Sequence, residues 1–489
     1  ANGAKLIVVD PRRTQIASLA DIHVQHNLGS DVALLNGIIH VIYKNGWHNQ
    51  EFIEERTENF EELVKVIEDY PPERASEISG VPVETITQVA EWYAKAEASA
   101  ICYVLGITQH CCGTDNVKSL ANLAMLCGHI GRPSTGVNPI RGQNNVQGAC
   151  DMAALPNVLP GYQYITVPET IEKFEKAWGA KLSATPGLTL IDQIEAILAG
   201  KIKGLVVFGA NPLVSYPDLN KVERALKSLE FLVTMDIFPT ATTEVSHVVL
   251  PGASFAETNG TYSNSERRVQ RVRKAIEPIP GKENWETIQE LSTRMGYPMQ
   301  YASPEEIFDE MASLTPAFAG MSYPRLSEKG LCWPCPTPDH PGTQYLHKDR
   351  FSRGLGHFHA IPYIPPAEGP DKDYPFWLTT GTIFTQYLTG TMTRRCYSLH
   401  HENPEVFVEI HPKDAARLHV EEGEEIEAQT RRGDIKVKVL LSERVKPGVV
   451  FIPLHYVENA ANRLTNAALD PATKTPEYKV CAVNLEKVA

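Results

Sequence analysis

At 489 residues the chain is too long for a single hydrophobic core and predicts three or four domains. A hydrophobic fraction of 43% against 21% charged residues is that of a soluble globular protein, and the net charge of −13 excludes a nucleic-acid surface, which needs clustered lysine and arginine. No apolar run approaches the roughly 18 residues that span a bilayer, and nine cysteines without regular spacing point to a reducing compartment rather than a disulfide framework.

The first segment, 1–143, reads as α/β. LIVVD (6–10) is a short buried strand, DVALLNGIIHVIYKNG an amphipathic helix stopped at Gly46, VETITQVAEWYAKA a second helix, and AICYVLG (100–106) a second strand. Strands alternating with helices predict a parallel sheet whose ligand edge lies at the strand C-termini. Asp10, Arg12, Gly106, Thr108 and Gln109 stand at that edge, and Gly29 and Asp31 open the first helix.

A second α/β unit, 144–255, has strands GLVVFGANPL (204–213), FLVTMDIF (231–238) and HVVLPGASF (247–255), with the helix DLNKVERALKSL between the first two. Gly209, Asn211, Ser215, Asp236 and Gly252 fall where these strands end, in sharp turns that offer bare backbone amides to phosphates. No GxGxxG opens either unit, which weighs against a simple NAD-binding domain. An aspartate at a strand tip, as at 10 and 236, accepts ribose hydroxyls or the N1–H and N2–H₂ edge of guanine; the alternative is a helix N-cap or turn aspartate.

Residues 256–372, which include Asn284, are less regular, and 338–372, rich in Pro, Gly, His and Asp, reads as a surface connection. Cys332 and Cys335 supply half the pattern of a zinc site, with no second pair at suitable spacing, and Cys111 and Cys112 are adjacent and badly placed for joint ligation. No metal ligand is assigned. The last segment, 373–489, is mainly β, with short strands broken at Gly423, Gly433 and Gly448, which predicts a small closed barrel.

The stretch GVNPIRGQNNVQGACDM (136–152) is the most informative. Arg141 sits there among Gly142, Gln143, Asn144, Asn145, Gln147 and Gly148, with scarcely an apolar side chain to bury. A guanidinium offers paired donors to a carboxylate, and the amides offer both donors and acceptors to a large polar cofactor. The alternative is a Gly/Asn-rich surface loop.

This run, with GITQH (106–110), NLAMLCGHIGRPSTG (122–136), RMGYPM (294–299) and TKTPEYK (473–479), resembles the molybdenum- or tungsten-bis(pterin guanine dinucleotide) oxidoreductases, and within them the catalytic subunit of formate dehydrogenase. The resemblance implies two Rossmann-like dinucleotide domains and a C-terminal barrel of double-psi type. It implies a Mo- or W-bis(molybdopterin guanine dinucleotide) cofactor and reversible two-electron oxidation of formate to CO2. Arg141 is then the catalytic residue that binds formate, Gln143 and Gln109 hold the pterin, and Thr382, Gln386, Leu454, Asn462, Tyr478 and Lys479 face the cofactor. His110 is a candidate for proton handling or a satisfied hydrogen-bonder. Members of the family also carry a four-cysteine iron–sulfur motif and a selenocysteine or cysteine followed by histidine, neither of which is in this sequence. The chain, which starts at ANGAKLIVVDP, is therefore expected to be the C-terminal portion of a catalytic subunit, partnered by its N-terminal part with the [4Fe-4S] cluster and by iron–sulfur electron-transfer subunits, in the cytoplasm. A nitrate-reductase-like member, a non-catalytic scaffold subunit and a plain nucleotide-binding protein are the rival readings.

Overall fold

A computed structural model describes residues 3–488. The chain forms two compact units: one built from Ala1–Asn138, Asn211–Arg224 and His347–Ala489, the other from Pro139–Ala210 and Ala225–Leu346. Neither follows the divisions expected at 143, 255 and 372.

The first unit has two cores. In one, the helix Asp31–Lys44 buries eleven of its fourteen residues, including Leu34, Ile38 and Ile42, because its apolar positions recur at helical spacing over nearly its whole circumference. It packs with the helices Val83–Lys95 and Gly113–Leu126 around Leu63, Ile86, Leu123 and Phe358. The broad parallel sheet expected here is absent among the described residues. Ile7–Val9 pairs in parallel with Ile22–Val24, and Ala100–Tyr103 pairs separately with Gly136–Pro139. These strands are three or four residues long, so the helices carry the core. The second predicted strand ends early, and Gly106 and Thr108 belong to a short helical turn, Leu105–Thr108.

The other core of this unit is a closed six-stranded barrel. Its strands run in the order Phe376–Gly381, Val449–Pro453, Phe407–Ile410, Gly433–Leu441, Glu425–Thr430 and Cys481–Lys487. Period-two alternation sends Ile426, Ala428, Ile435, Val437 and Val439 inward. Arg12 seals one side: its Nε and Nη2 donate at 2.6 Å each to the two carboxylate oxygens of the fully buried Glu409, and its guanidinium lies 3.8 Å from the Phe451 ring centre.

From 347 onward the connection expected at 338–372 belongs to the first unit and runs mostly exposed, with Gly356, Phe358 and Ile361 buried. Gly356–His357 pairs in parallel with Thr57–Glu58, Asn36 Nδ2 donates to the Ile361 carbonyl (2.9 Å), and Asn122 Nδ2 to that of His359 (2.7 Å). Phe358 is fully buried. Its Pro- and Gly-rich composition hid a strip held by side-chain amides rather than by a regular ladder. The segment 211–224 leaves the second α/β segment for a similar reason: Asn220 Nδ2 donates to the Arg432 carbonyl (2.9 Å) and Asn220 Oδ1 accepts from Arg463 (2.7 Å).

The second unit carries the expected parallel sheet, ordered Val248–Pro251, Phe231–Asp236, Gly204–Phe208. It also has an antiparallel sheet of Gly260–Ser263, Arg268–Val272 and Leu331–Cys332, packed with the helix Pro304–Leu314 around Phe308, Met311, Phe318 and the buried Cys335. The region read as irregular therefore has its own core.

Candidate functional site

In the first unit, the end of strand Phe376–Gly381 meets the turn before strand Cys481–Lys487, and the two are joined reciprocally. Thr380 Oγ1 donates to the Tyr478 carbonyl (2.8 Å), and Lys479 Nζ donates to the Thr380 carbonyl (2.7 Å). The Lys479 backbone N–H is held by the Gln109 carbonyl at 3.3 Å. Burial lowers the Lys479 ammonium to about 8, against the opposing pull of the Asp10 carboxylate. A neutral carbonyl does not compensate a buried ammonium, so this position favours an anionic ligand. Tyr478 Oη donates to the Ser215 carbonyl (3.0 Å), and burial pushes its phenol up.

Asn462 faces the same Asn211–Ser215 turn. Its Nδ2 donates to the Val214 carbonyl (2.9 Å), while its buried Oδ1 has no hydrogen-bond partner. An orphaned buried acceptor calls for a donor from outside the chain. Asn211 begins that turn, its carbonyl accepting from Ser215 Oγ at 3.0 Å. Gln386 is buried, with Oε1 accepting from Thr393 (2.7 Å); Leu454 is half-buried with its N–H on the Gly381 carbonyl (3.0 Å); Thr382 is exposed.

A second polar pocket of the unit collects Asp31, His26 and His110. Asp31 Oδ1 lies 3.3 Å from His26 Nε2, and burial raises its carboxyl while His26 pulls it down further, for a net lowering. His110 Nε2 meets the Gly106 carbonyl at 2.8 Å. Asp31 Oδ2, His26 Nδ1 and His110 Nδ1 are buried without partners. The hydrogen-bonder reading of His110 thus covers one ring nitrogen. His26 was missed in the sequence; a histidine a few residues before a helix-opening Gly-Ser-Asp was the available signal.

Two strand-tip residues do structural work instead. Asp10 Oδ1 accepts the Arg12 N–H (2.8 Å), the turn role held open for it, and burial raises its carboxyl. Arg12 is consumed by Glu409, a partner no local pattern announces. Gly29, at φ +71°, is required by packing, since a Cβ there would lie 2.4 Å from Pro366.

In the second unit, Arg141 is exposed, with Nη1 4.0 Å from Cys150 Sγ. Its loop belongs to this unit because Arg141 N–H donates to Ser265 Oγ (3.1 Å) and Asn145 Oδ1 accepts the Ser263 N–H (3.0 Å). At least two of the four amides expected to face a ligand therefore face the protein. Asn145 is one, and the buried Gln147 is another, donating to Asp151 Oδ1 (2.8 Å) and Tyr162 Oη (2.9 Å). Trp333 Nε1 completes this platform on Asp151 Oδ2 (3.0 Å). Gly142 is exposed with open space at its missing Cβ, and Gln143 is half-buried.

The parallel sheet of this unit aligns Gly209, Asp236 and Gly252 at one edge, since Phe208 registers with Met235 and Pro251 with Asp236. Gly209 N–H donates to the Met235 carbonyl (2.8 Å) and Gly252 N–H to that of Asp236 (2.9 Å). Asp236 Oδ1 accepts the Ile237 N–H (2.7 Å), and Asn284 brackets Ala253, accepting its N–H (2.8 Å) and donating to its carbonyl (3.0 Å). Among the described residues no cluster of His, Cys, Asp and Glu has the arrangement of a metal site, and no helix is long and apolar enough to cross a membrane.

Comparison with known proteins agrees with this geometry. Residues 1–294 match the family model "Molybdopterin oxidoreductase", and residues 376–482 match "Molydopterin dinucleotide binding domain". The chain is 50% identical to the F420-dependent formate dehydrogenase subunit alpha of Methanocaldococcus jannaschii, over 99% of this chain and 72% of that protein. It is 40% identical to formate dehydrogenase H of Escherichia coli (100% and 69% covered) and 37% identical to the assimilatory nitrate reductase catalytic subunit of Bacillus subtilis (99% and 70%). Acetylene hydratase from Pelobacter acetylenicus shares the fold, with TM-score 0.76 at 21% identity over 99% of this chain and 74% of that one. The mixed α/β fold with its closed barrel is thus that of a member of the molybdopterin oxidoreductase family, to which this chain belongs.

Proposed function

We propose that the chain is the formate-oxidising part of a formate dehydrogenase, which interconverts formate and CO2 at a Mo- or W-bis(molybdopterin guanine dinucleotide) centre. The observation that carries this reading is the Arg141 loop: an exposed guanidinium on a backbone pinned at Arg141 and Asn145, in a chain 50% identical to a formate dehydrogenase subunit. When bound, the pterin-held metal supplies the two-electron acceptor.

The protein binds and orients. Arg141 holds the two oxygens of formate through its paired donors and so fixes the direction of the C–H bond. Because CO2 carries no charge, the same guanidinium releases product more readily than substrate. In the first unit, Lys479 would hold an anionic part of the cofactor, and the unpartnered Asn462 Oδ1 and Asp31 Oδ2 would accept hydrogen bonds from it. In the second unit, Gly209, Asp236 and Gly252 form a turn-lined edge suited to a dinucleotide arm. A [4Fe-4S] cluster and iron–sulfur partner subunits, in the cytoplasm, would supply the onward path for the electrons.

Activity with formate and with nitrate, measured on the complete enzyme with an artificial one-electron dye, separates this reading from a nitrate-reductase-like one, which the 37% identity to the Bacillus subtilis enzyme keeps as the second reading. Turnover of formate and none of nitrate is expected. Nitrate reduction without formate oxidation would replace the proposal, and purified enzyme with neither molybdenum nor tungsten would leave a scaffold.

A further inference from the structure

The adjacent pair Cys111–Cys112 has no part in the function above, yet it sits on the loop that supports Lys479. The carbonyl of Gln109 holds the Lys479 N–H, the Cys111 N–H donates to Glu477 Oε1 (3.3 Å), and Thr114 donates from both N–H (2.9 Å) and Oγ1 (2.8 Å) to Asp470. Three consecutive anchors therefore tie 109–114 to 470–479. The loop is tight: a Cβ on Gly113 would fall 2.1 Å from the Thr108 carbonyl oxygen. Cys111 is half-exposed, and Cys112 is buried at the N-cap of the helix Gly113–Leu126.

We propose that Cys111 and Cys112 form a vicinal dithiol that a small disulfide oxidises to a Cys111–Cys112 disulfide, which shifts the loop supporting Lys479. The two thiols are unequal. Cys112 Sγ donates to Asn116 Oδ1 (3.7 Å); the neighbouring Cys112 lowers the Cys111 thiol, while Cys111 and burial together raise that of Cys112. Cys111 is therefore the attacking thiolate. Its sulfur displaces one thiolate from RSSR, forming a Cys111–SR mixed disulfide and releasing RSH. The Cys112 sulfur then attacks Cys111, the Cys111–SR bond breaks, and a second RSH leaves with the Cys112 proton. The protein loses two electrons and two protons, and RSSR becomes two RSH. Adjacent Cα atoms lie about 3.8 Å apart across a trans peptide, inside the roughly 4.4 Å minimum of ordinary disulfides. The bond forces the 111–112 peptide to distort, which makes it readily reduced and reversible.

The bond is independent of the formate reading; its effect on turnover rests on the role given to Lys479. The test equilibrates the intact enzyme anaerobically with rising glutathione disulfide, then denatures, alkylates and maps peptides by mass. The peptide holding 111 and 112 is expected to lose both alkyl groups and two hydrogens, and to regain both groups after dithiothreitol. In parallel, acetylation of Lys479 by acetic anhydride should quicken several-fold in the oxidised enzyme. Cys112→Ser should stop at a stable mixed disulfide on Cys111. A wild-type pair that stays doubly alkylated at the highest disulfide concentration, or that ends as a mixed disulfide, overturns the proposal whether or not the variant folds. An internal bond with unchanged Lys479 acetylation overturns the coupling.

Discussion

The Lys479 turn and the Arg141 loop each present one cation, and they treat it in opposite ways. Lys479 is buried and tied down at both its backbone and its ammonium. Arg141 is exposed, with its backbone pinned and its guanidinium at the surface of its unit. A buried cation with a depressed pKa suits a ligand that stays, because such a ligand repays the desolvation once and for good. An exposed, pre-oriented guanidinium suits a small ion that must come and go.

This contrast can be broken at several points. The barrel that presents Lys479 depends on the Arg12–Glu409 pair, and Glu409→Ala leaves a buried guanidinium unpaired. A loss of about 3–5 kcal/mol is expected, read as an earlier denaturant midpoint with the barrel lost first; an unchanged midpoint would show the pair to be dispensable. Next, Arg141→Lys replaces a fork with a point charge. Formate turnover should fall roughly a hundredfold, the equivalent of about 2.7 kcal/mol, while the pterin content measured on the purified variant is unchanged. Full turnover would remove Arg141 from the chemistry.

Lys479→Met should do the reverse, lowering pterin content while the cofactor-free protein folds as before. The pH dependence sharpens this. The folded amine titrates near 8, below its unfolded value of 10.5, so the unfolded chain binds more protons between those values. Stability of the cofactor-free protein should therefore rise with pH from about 8 toward 10.5, and Lys479→Met should flatten that rise. A variant with the same slope as wild type would assign the effect elsewhere. The smallest effect belongs to Ser265→Ala, which frees the Arg141 N–H. About 1 kcal/mol of positioning is lost, so kcat/KM for formate should drop roughly fivefold with the melting temperature nearly constant.

Much of the fold was legible because its signals are local. The helical spacing of Leu34, Ile38 and Ile42 announced Asp31–Lys44, and the alternation through Ile426–Ala428 and Ile435–Val439 announced barrel strands. The same reading missed what holds 347–372 in place, since the amides of Asn36 and Asn122 come from elements far upstream. At the candidate site, Arg141 stood out by type, and Lys479 and Asn462 by resemblance alone. Asn145 and Gln147 did not reveal that they were latches, because an amide has the same donors and acceptors whether it faces a ligand or the protein.

The order of residues by itself determined the helices, the barrel strands, the strand-tip turns and the polar loop around Arg141, because each is set by side-chain periodicity or turn chemistry over a few neighbouring positions. Only the tertiary structure decided that Arg12 belongs to Glu409, that 211–224 joins the barrel's unit, and which buried atoms of Asp31, His110 and Asn462 are left without partners. The physical reason is that the partner of a charged or polar group is whatever the returning chain brings within about 3 Å of it, and Glu409 returns 397 residues after Arg12.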